Sequence, residues 1–261
     1  MEVLYGLHPV EEAVRSGSRQ LDCVMLARER KDDRLERLAD LCRAANIRVA
    51  LESRDTLTRI SRTADHQGAV ALVREREFLG IEDLLAAQNP NHYRFFLALD
   101  GIEDPHNLGA LLRTADGAGV DGVLLPERRS APVSATVAKT SAGASEHVRI
   151  ARVTNLVRSL EQMKRANVWV LGLDERGTPD YTDFDFRTDC VLVLGREGAG
   201  LHDLVKKTCD HLLRIPMAGA VSSLNVSVAG AVVMYEALRQ RRTPAIPKPA
   251  APAKPRKGLG S

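Results

Sequence analysis

Apolar residues recur along this chain in two patterns, and the alternation of the patterns predicts the fold class. Residues 95–99 and 190–194 form short continuous apolar runs, which are typical of strands buried on both faces. Residues 34–45 instead place apolar side chains three or four positions apart, which is typical of a helix that covers a core. Strands and helices alternate in this way from residue 94 to residue 239, which predicts a parallel sheet with helices on both faces. We therefore expect an α/β protein.

The same patterns place the individual elements. Predicted strands occupy residues 21–26, 47–51, 69–73, 94–99, 120–125, 168–173, 190–194 and 212–215. Predicted helices occupy residues 10–15, 34–45, 54–63, 81–87, 108–118, 133–141, 155–166, 202–209 and 224–239. Short polar side chains accept hydrogen bonds from the first N–H groups of a helix, so Asn107, Thr154 and one of Ser222 or Ser223 are the predicted N-caps.

Four segments follow from these elements. Residues 1–76 read as a small α/β unit, and residues 77–92 as a charged connector that contains Asn and Pro. Residues 93–242 hold the predicted parallel sheet. Residues 243–261 are rich in Pro, Ala and Lys, a composition that predicts disorder.

Charge and cysteine content narrow the functional classes. The chain carries 37 basic and 34 acidic residues, but six of the basic ones lie in the last 21 residues, so the folded body is not basic. A nucleic-acid site must therefore be a local patch. The four cysteines form no C-x-x-C pair, which argues against a thiolate zinc site or a disulfide scaffold and favours the reducing cytoplasm. No signal peptide and no apolar run of about 18 residues are apparent, so we predict no membrane span.

Three stretches carry the candidate chemistry, and each follows a predicted strand. The first runs from Asp104 through Asn107 to Gly119 and holds Arg113 off the apolar face of its helix. The second holds Glu197 between glycines, without the G-x-G-x-x-G spacing of dinucleotide-binding proteins. The third runs from Ile215 into the last helix. Taken singly, Arg113 could be a solvated surface residue, Glu197 a loop carboxylate, and the last helix a buried helix with a polar cap.

Taken together, the three stretches predict one site. In open α/β sheets, ligands bind at the carboxyl ends of the strands, and the stretches begin there, after residues 99, 194 and 215. Glycines leave backbone groups uncovered, so a ligand can approach the main chain closely.

The stretches also resemble the three motifs of the SpoU branch of the SPOUT RNA methyltransferases. Their matching segments read Asp-Pro-His-Asn-Leu-Gly followed by Arg113, then Gly-Arg-Glu-Gly-Ala-Gly-Leu, then Ile-Pro-Met-Ala-Gly-Ala-Val-Ser-Ser-Leu-Asn-Val-Ser. The resemblance extends to residue 242. It implies methylation of a ribose 2′-hydroxyl, expected to be a guanosine of 23S ribosomal RNA, with S-adenosylmethionine as cofactor. It also implies a trefoil knot and a homodimer. The methyl group of the cofactor is already activated by its positively charged sulfur, so we expect no metal. At the amino terminus, Tyr5-Gly6-Leu7-His8-Pro9-Val10 and His66-Gln67-Gly68 resemble the family's ribosomal-protein-type RNA-binding extension.

The resemblance assigns candidate residues. The catalytic candidates are Arg113, Asn107, Glu197, Ser223 and Asn225. The cofactor-binding candidates are Leu194, Gly195, Gly198, Ile215, Met217, Leu224 and Asn225. Arg113 is expected to grip an RNA phosphate, because a guanidinium fork suits phosphate. A guanidinium stays protonated in proteins and is a poor base, so the identity of the base stays open.

Two alternatives stay open at this point. The same chemistry could act on transfer RNA or on another ribosomal site, because the amino-terminal unit would select the RNA. The chain could instead be a catalytically silent protein that binds RNA or assists ribosome assembly. The presence of the five catalytic candidates argues against the silent protein.

Overall fold

The computed structural model describes residues 1–28, 32–86 and 93–242, and the predicted tail, residues 243–261, lies outside this range. Two sheets organise the described residues. A four-stranded sheet is formed by the first 73 residues, and its strands make two antiparallel pairings and one parallel pairing. A six-stranded sheet follows it in the chain. None of the described helices is both long and apolar enough to cross a lipid bilayer.

The N-terminal unit places its strands in the order β1-β4-β2-β3. Its elements are β1 (Glu2–Tyr5), α1 (Leu7–Ser16), β2 (Leu21–Ala27), α2 (Asp33–Ala44), β3 (Val49–Glu52), α3 (Arg54–Ser61) and β4 (Ala69–Val73). Leu4, Val10, Leu26 and Leu38 belong to one apolar core that joins helices α1 and α2 to the sheet. The predicted strands and helices of this unit are therefore confirmed, and β1 is added to them.

The second sheet contains six strands, and all of its neighbouring strands are parallel. Its strand order is β10-β8-β9-β5-β6-β7. The elements of this unit are α4 (Ile81–Ala86), β5 (Phe95–Leu99), α5 (Pro105–Gly117), β6 (Gly122–Pro126), α6 (Ala135–Thr140), β7 (Ile150–Val153), α7 (Leu156–Arg165), β8 (Trp169–Leu173), β9 (Cys190–Leu194), α8 (Asp203–Thr208), β10 (His211–Leu213) and α9 (Val226–Arg242).

Apolar cores cover both faces of this sheet. Successive side chains of a strand point to opposite faces, and β5 divides accordingly: Phe95 and Leu97 belong to one core cluster, whereas Phe96 and Ala98 belong to the other. The first cluster includes residues of α5 and α9, and the second includes residues of α4 and α7. The predicted parallel sheet with helices on both faces is thus confirmed.

The structure corrects some details of the prediction. The sequence prediction lacks strands β1 and β7. Each has only four residues and lies at the edge of its sheet, where apolar patterning is weak. Helix α7 is capped by Asn155 and not by Thr154, since the Asn155 side chain accepts a hydrogen bond from the backbone N–H of Arg158 at 3.0 Å.

The predicted connector lies against the second sheet over its described part. The backbone N–H of Leu79 donates to the carbonyl of Ile150 at 3.0 Å, and Leu79 in turn accepts from the N–H of Arg152 at 3.1 Å. Helix α4, which follows, agrees with the predicted short helix. Residues 87–92 lie outside the described range.

Charged side chains join the N-terminal unit to the segment between α6 and β7. Glu146 is buried there and accepts a hydrogen bond from Arg76 at 2.6 Å, while an Arg19 nitrogen lies 3.6 Å from the same carboxylate oxygen. Nearby, a ring nitrogen of His147 lies 2.7 Å from a carboxylate oxygen of Glu12. The two units are therefore linked by buried charges as well as by the chain.

Candidate active site at the carboxyl ends of the strands

The segment after β5 delivers Asn107 to the rim of the sheet. Asp104 caps helix α5, because its carboxylate accepts hydrogen bonds from the backbone N–H groups of His106 at 3.1 Å and Asn107 at 3.2 Å. The predicted cap, Asn107, is therefore wrong: this residue lies in the first turn of the helix and is buried. Because Asp104 satisfies the free N–H groups, the amide of Asn107 is available for other partners.

The loop after β9 is a closed turn that carries Glu197 at its exposed tip. Arg196 and Gly200 exchange backbone hydrogen bonds of 3.0 and 2.9 Å, and this closes the turn. A Cβ atom on Gly195 would lie 2.3 Å from the carbonyl carbon of Gly200, so only glycine fits there. Gly198 has a φ of +73°, which favours glycine as well.

The segment before α9 presents Asn225. Helix α9 begins at Val226, and the Asn225 Oδ1 atom accepts hydrogen bonds from the backbone N–H and the hydroxyl of Ser227, at 2.9 and 2.6 Å. The predicted caps, Ser222 and Ser223, are wrong, because both lie in the exposed loop before the helix. Asn225, which directly precedes the helix, is the cap, and its two hydrogen bonds to Ser227 restrain its side chain.

These three segments meet in one hydrogen-bonded network. Asn107 Nδ2 donates to one oxygen of Glu197 at 3.2 Å, and Asn225 Nδ2 donates to the other at 3.1 Å. Asn225 Nδ2 also lies 3.1 Å from Asn107 Oδ1. Residues about 90 and 118 positions apart in sequence thus form a single polar cluster. Each member restrains the others, so the Glu197 carboxylate has a defined direction.

A cavity of about 620 Å³ opens beside this cluster. Its size lies within the range of about 300–1,000 Å³ that is usual for small-molecule sites. It is lined by glycine backbone of the β9 loop and by apolar side chains of the β10–α9 segment. The predicted cofactor residues along its wall are Leu194, Gly195, Gly198, Ile215, Met217, Leu224 and Asn225, and Glu197 and Ser223 line it too. The structure therefore brings these predicted residues together.

Arg113 is placed differently. It lies on the exposed side of α5, outside the cavity wall, and forms no hydrogen bond or ion pair with the residues that the structure describes. Gly117, one turn further along the same helix face, lies against the phenol of Tyr235 on α9, whose oxygen would be 3.0 Å from an added Cβ atom. Arg113 therefore lies one helical turn from this contact between α5 and α9.

The cavity is also lined by a charged pair that is absent from the sequence prediction. Lys206 Nζ donates to Asp174 Oδ2 at 2.7 Å, and both side chains line the cavity. Burial alone would raise the pKa of Asp174, but the hydrogen bonds from Lys206 and from the Arg176 backbone outweigh burial and lower it. Asp174 follows β8, so its position after a strand is a signal that sequence reasoning could have used.

A second pair ties the β5 and β9 segments together. The backbone N–H of Asp100 donates to the carbonyl of Leu194 at 2.8 Å. The Asp100 carboxylate accepts from the backbone N–H of His202 at 2.7 Å and lies 2.9 Å from its ring Nδ1. These hydrogen bonds therefore connect the segment that leads to Asn107 with the segment that contains Glu197.

The described residues contain no group of three or more His, Cys, Asp or Glu side chains that could hold a metal ion. The four cysteines are unpaired thiols. Burial raises the pKa of Cys190 to about 12 and that of Cys209 to about 12, so these thiols stay protonated at neutral pH.

Known proteins share both the sequence and the fold. A family model of the SpoU rRNA Methylase family matches residues 94–235, and a model for RNA 2′-O ribose methyltransferase substrate binding matches residues 3–79. The chain is 42% identical over 245 residues to the 23S rRNA (guanosine-2′-O-)-methyltransferase RlmB of Pseudomonas aeruginosa, which covers 92% of this chain and 97% of the relative. It is 41% identical over 241 residues to YacO of Bacillus subtilis (strain 168), named as a TrmH family tRNA/rRNA methyltransferase, with coverage of 92% and 96%.

A solved structure with the same fold holds a ligand. The SpoU methyltransferase AviRb from Streptomyces viridochromogenes, crystallised in complex with the cofactor AdoMet, matches with a TM-score of 0.76 and 26% identity. The match covers 92% of this chain and 89% of that one. Fold, site and matches together define an α/β methyltransferase of RNA ribose 2′-hydroxyls. The chain belongs to the SpoU rRNA Methylase family, as the resemblance of its three motifs predicted.

Proposed function

We propose that this enzyme methylates the 2′-hydroxyl of a guanosine in 23S ribosomal RNA. As a SpoU methyltransferase it uses S-adenosylmethionine. The guanosine of 23S ribosomal RNA is the substrate in the name of the Pseudomonas relative, which matches almost the whole described chain. The observation that carries the proposal is the network of Asn107, Glu197 and Asn225, which joins all three motifs at the mouth of one cavity.

The cavity suits the cofactor. Bare backbone at Gly195 and Gly198 offers hydrogen-bonding groups to an adenosine, and Ile215 and Leu224 offer apolar surface to its base. The Asp174–Lys206 pair lines the same cavity and offers both charges to the amino acid part of the ligand. Bound S-adenosylmethionine supplies a methyl group that is activated by a positively charged sulfur.

The polar network would align the ribose. Asn225 is fixed by Ser227, and Asn225 and Asn107 fix Glu197, so the cluster is organised before a substrate arrives. Correct alignment of two reactants can supply up to about 10 kcal/mol of the barrier. Ser223, which lines the cavity beside Asn225, has an exposed hydroxyl that can hydrogen-bond the ribose.

Arg113 would hold the RNA phosphate next to the target ribose. Its guanidinium is exposed and has no carboxylate partner among the described residues, so its donors are available for a phosphate. The N-terminal unit, residues 1–76, would bind the surrounding RNA as a ribosomal-protein-type fold. Its match to a substrate-binding family model supports this role. Residues 77–92 would link it to the catalytic domain, residues 93–242.

The order of the strands supports a trefoil knot. Strand β10 lies at the edge of the sheet, yet helix α9, which follows it, packs against the middle. An added Cβ on Gly230 of α9 would lie 2.7 Å from both Leu111 of α5 and Leu194 of β9. The segment between β10 and α9 must therefore cross back over β8 and β9 near the glycine loop. Threading through that loop would make the knot.

We also infer a homodimer that forms through helix α9. Val228 and Tyr235 lie seven residues apart, hence on one helix face, and are 49% and 52% exposed. Met217 and Leu224, which line the cavity, and Val221 of the same segment add exposed apolar surface. A dimer would cover this surface and would bring Arg113 of one copy towards the cavity of the other.

The expected site of action is the cytoplasm, which contains ribosomal RNA and whose reducing conditions keep thiols unpaired.

Mapping of 2′-O-methyl groups tests the proposed function. Unmodified 23S ribosomal RNA and bulk transfer RNA are each incubated with S-adenosylmethionine and the purified full chain, and methylated riboses are located by primer extension. We expect one guanosine of 23S ribosomal RNA to acquire the mark, and Arg113→Ala to lose it while retaining cofactor binding. Marks on transfer RNA alone would overturn the substrate. Normal transfer by Arg113→Ala would overturn the role of that residue.

A further inference from the structure

The loop after β6, residues 127–130, holds two adjacent arginines at the same rim of the sheet as the active site. Strand β6 pairs in parallel with β5, with Ala98 opposite Leu124, so both strands end at this rim. On the other side of β5 lies β9, and the loop after β9 carries Glu197. Neighbouring strands are about 4.8 Å apart, so the end of β6 lies about 10 Å from the end of β9. Asn107, which follows β5, lies between them in strand order.

The loop is pinned at both ends. The backbone N–H of Glu127 donates to the carbonyl of Val153 at 3.0 Å, and the N–H of Ala131 donates to the carbonyl of Ile102 at 2.8 Å. Ala131 and Ile102 are both buried. Ile102 belongs to the segment that leads to Asn107, so the arginine loop is attached directly to the first motif.

The backbone of the loop is strained at Arg129. Its φ is +56°, in the left-handed region that non-glycine residues rarely adopt. Such a conformation is unfavourable for a residue with a side chain and persists where the surrounding structure enforces it, often at ligand-binding sites. A glycine would relieve the strain, and the chain keeps an arginine there.

The guanidinium groups of the loop are not neutralised. Arg128 and Arg129 are exposed and have no ion pair or hydrogen bond to any residue in the described ranges. Glu127 and Glu103 lie on adjoining stretches and do not pair with them. Four other arginines of this domain do have carboxylate partners: Arg94–Asp189 at 2.7 Å, Arg187–Asp185 at 2.9 Å, Arg239–Glu236 at 2.7 Å and Arg165–Glu161 at 3.8 Å.

We propose that Arg128 and Arg129 bind phosphates of the substrate RNA beside the methylated nucleotide. Two unpaired guanidinium forks on a pinned loop suit backbone phosphates, which fix the register of an RNA without reading its bases. The ribose site then lies between the cofactor cavity on the β9 side and a phosphate clamp on the β6 side. This inference rests on the proposed function, and it assigns to the catalytic domain an RNA contact separate from the N-terminal unit.

The test compares two double variants that lose the same charge. Arg128→Gln with Arg129→Gln removes the clamp. Arg165→Gln with Arg187→Gln is the control, because Arg165 ends α7 and Arg187 precedes β9, which places both at the opposite rim. The measured quantities are the KM for an unmodified 23S ribosomal RNA transcript, kcat at saturating RNA, calorimetric affinity for S-adenosylmethionine, and RNA affinity between 50 and 200 mM salt.

We expect the clamp variant to raise the KM for RNA about tenfold, with cofactor affinity unchanged and kcat within about twofold. Two lost phosphate contacts should lower the slope of log affinity against log salt by about 1.4–1.8. A clamp variant that matches the control in KM and in salt slope overturns the proposal. If the wild-type protein transfers no methyl group to this RNA, the proposed function fails, and the affinity and salt comparison still decides on the clamp.

A single variant separates binding from folding. Arg129→Gly removes the side chain and relieves the positive φ, so the melting temperature should be equal to or above that of the wild type while the KM for RNA rises. A fall in melting temperature together with an unchanged KM would overturn the assignment of Arg129.

Discussion

The carboxylate of Glu197 is held by two amides, although it lies on an exposed loop. Asn107 and Asn225 each donate to a different oxygen, so both oxygens are occupied from the protein side. An exposed carboxylate contributes little to the core, and its hydrogen bonds therefore serve mainly to position the cluster. Changes at this residue should affect catalysis more than folding.

Glu197→Gln tests that expectation. The substitution keeps the size of the side chain but turns one acceptor into a donor that faces another donor, so at least one hydrogen bond is lost. A hydrogen bond to a charged group contributes about 1.5–3 kcal/mol, which corresponds to a loss of kcat of about tenfold or more. Steady-state methyl transfer measures the effect, and Glu161→Gln, an exposed change on α7, is the control. A kcat equal to that of the control would contradict this role.

His66 makes the N-terminal unit sensitive to acid. The side chain is buried, accepts a hydrogen bond from the backbone N–H of Gly68 at 3.0 Å, and lies 3.2 Å from the hydroxyl of Thr58. Burial and then the charge of Arg54 lower the pKa of His66 below its ordinary value of 6.5. Below pH 6.5 the unfolded chain therefore binds a proton that the folded chain does not, and stability falls as the pH falls.

The prediction is a difference between two pH curves. Between pH 8 and pH 5, the free energy of unfolding of the wild type should fall more than that of His66→Gln, which cannot titrate there. Denaturant unfolding at each pH measures both curves. Parallel curves would show that His66 keeps its ordinary pKa.

At this scale the sequence predicts which polar residues meet, but not how each is bonded. Asn107, Glu197 and Asn225 follow three strands and were expected at one rim, where the structure has them. The helix caps were misassigned because Asp104 and Asn107 are both good caps, as are Ser223 and Asn225. Cap residues of these types differ by only a fraction of a kcal/mol, and the final choice depends on tertiary contacts.

The glycine loop after β9 is the element on which the cavity depends. Its turn is closed by paired backbone groups of Arg196 and Gly200, and Gly195 packs directly against that turn. The atoms that an added Cβ would meet are backbone atoms, which cannot rotate away. The loop should therefore tolerate no side chain at this position.

Gly195→Ala is the corresponding variant. Its Cβ would lie 2.3 Å from Gly200 carbon and 2.4 Å from the nitrogen of Leu201, so the turn must open. Overpacking of this kind costs about 1–3 kcal/mol, and the open turn should weaken S-adenosylmethionine binding at least tenfold. Gly219→Ala is the control, because an added Cβ there meets no atom within 4 Å. Calorimetry with equal affinities for both variants would refute this account of the loop.

Elements were predictable where their pattern was long or strongly apolar. Strands β5 and β9 are continuous apolar runs and were found at nearly their observed bounds. Strand β7 includes the exposed Arg152 and has only four residues, so its pattern is indistinct. Its position is determined by pairing with β6 and by the parallel bridge between Ala151 and Leu79 of the connector, and neither contact is visible in local sequence.

The two units of the molecule are coupled through Glu146. Its side chain is 1% exposed, and the side chains of its partners Arg19 and Arg76 are 4% and 8% exposed. Burial lowers the pKa of Arg76, and the charge of Glu146 offsets part of this effect. Residues 143–147 read only as a small polar stretch in sequence, because the partners of Glu146 lie at least 70 positions away.

Removal of the Glu146 charge should loosen the whole molecule. Glu146→Gln leaves the buried guanidinium of Arg76 without its carboxylate partner, while Arg19 keeps its ion pair with Glu2. Breaking a buried pair in this way costs about 3–5 kcal/mol. Denaturant unfolding measures the loss, with Glu75→Gln as control because that side chain is 78% exposed. A change below about 1 kcal/mol, as expected for an exposed pair, would show that the junction contributes little.

A crystal structure of the full chain grown with S-adenosylmethionine tests the central claim most directly. The account predicts adenosine density in the cavity, against the backbone of residues 195–198 and 215–217 and beside Leu224, with the methyl group facing the cluster of Asn107, Glu197 and Asn225. Density for the cofactor on another surface, or a cavity that stays empty at saturating cofactor, would contradict the account.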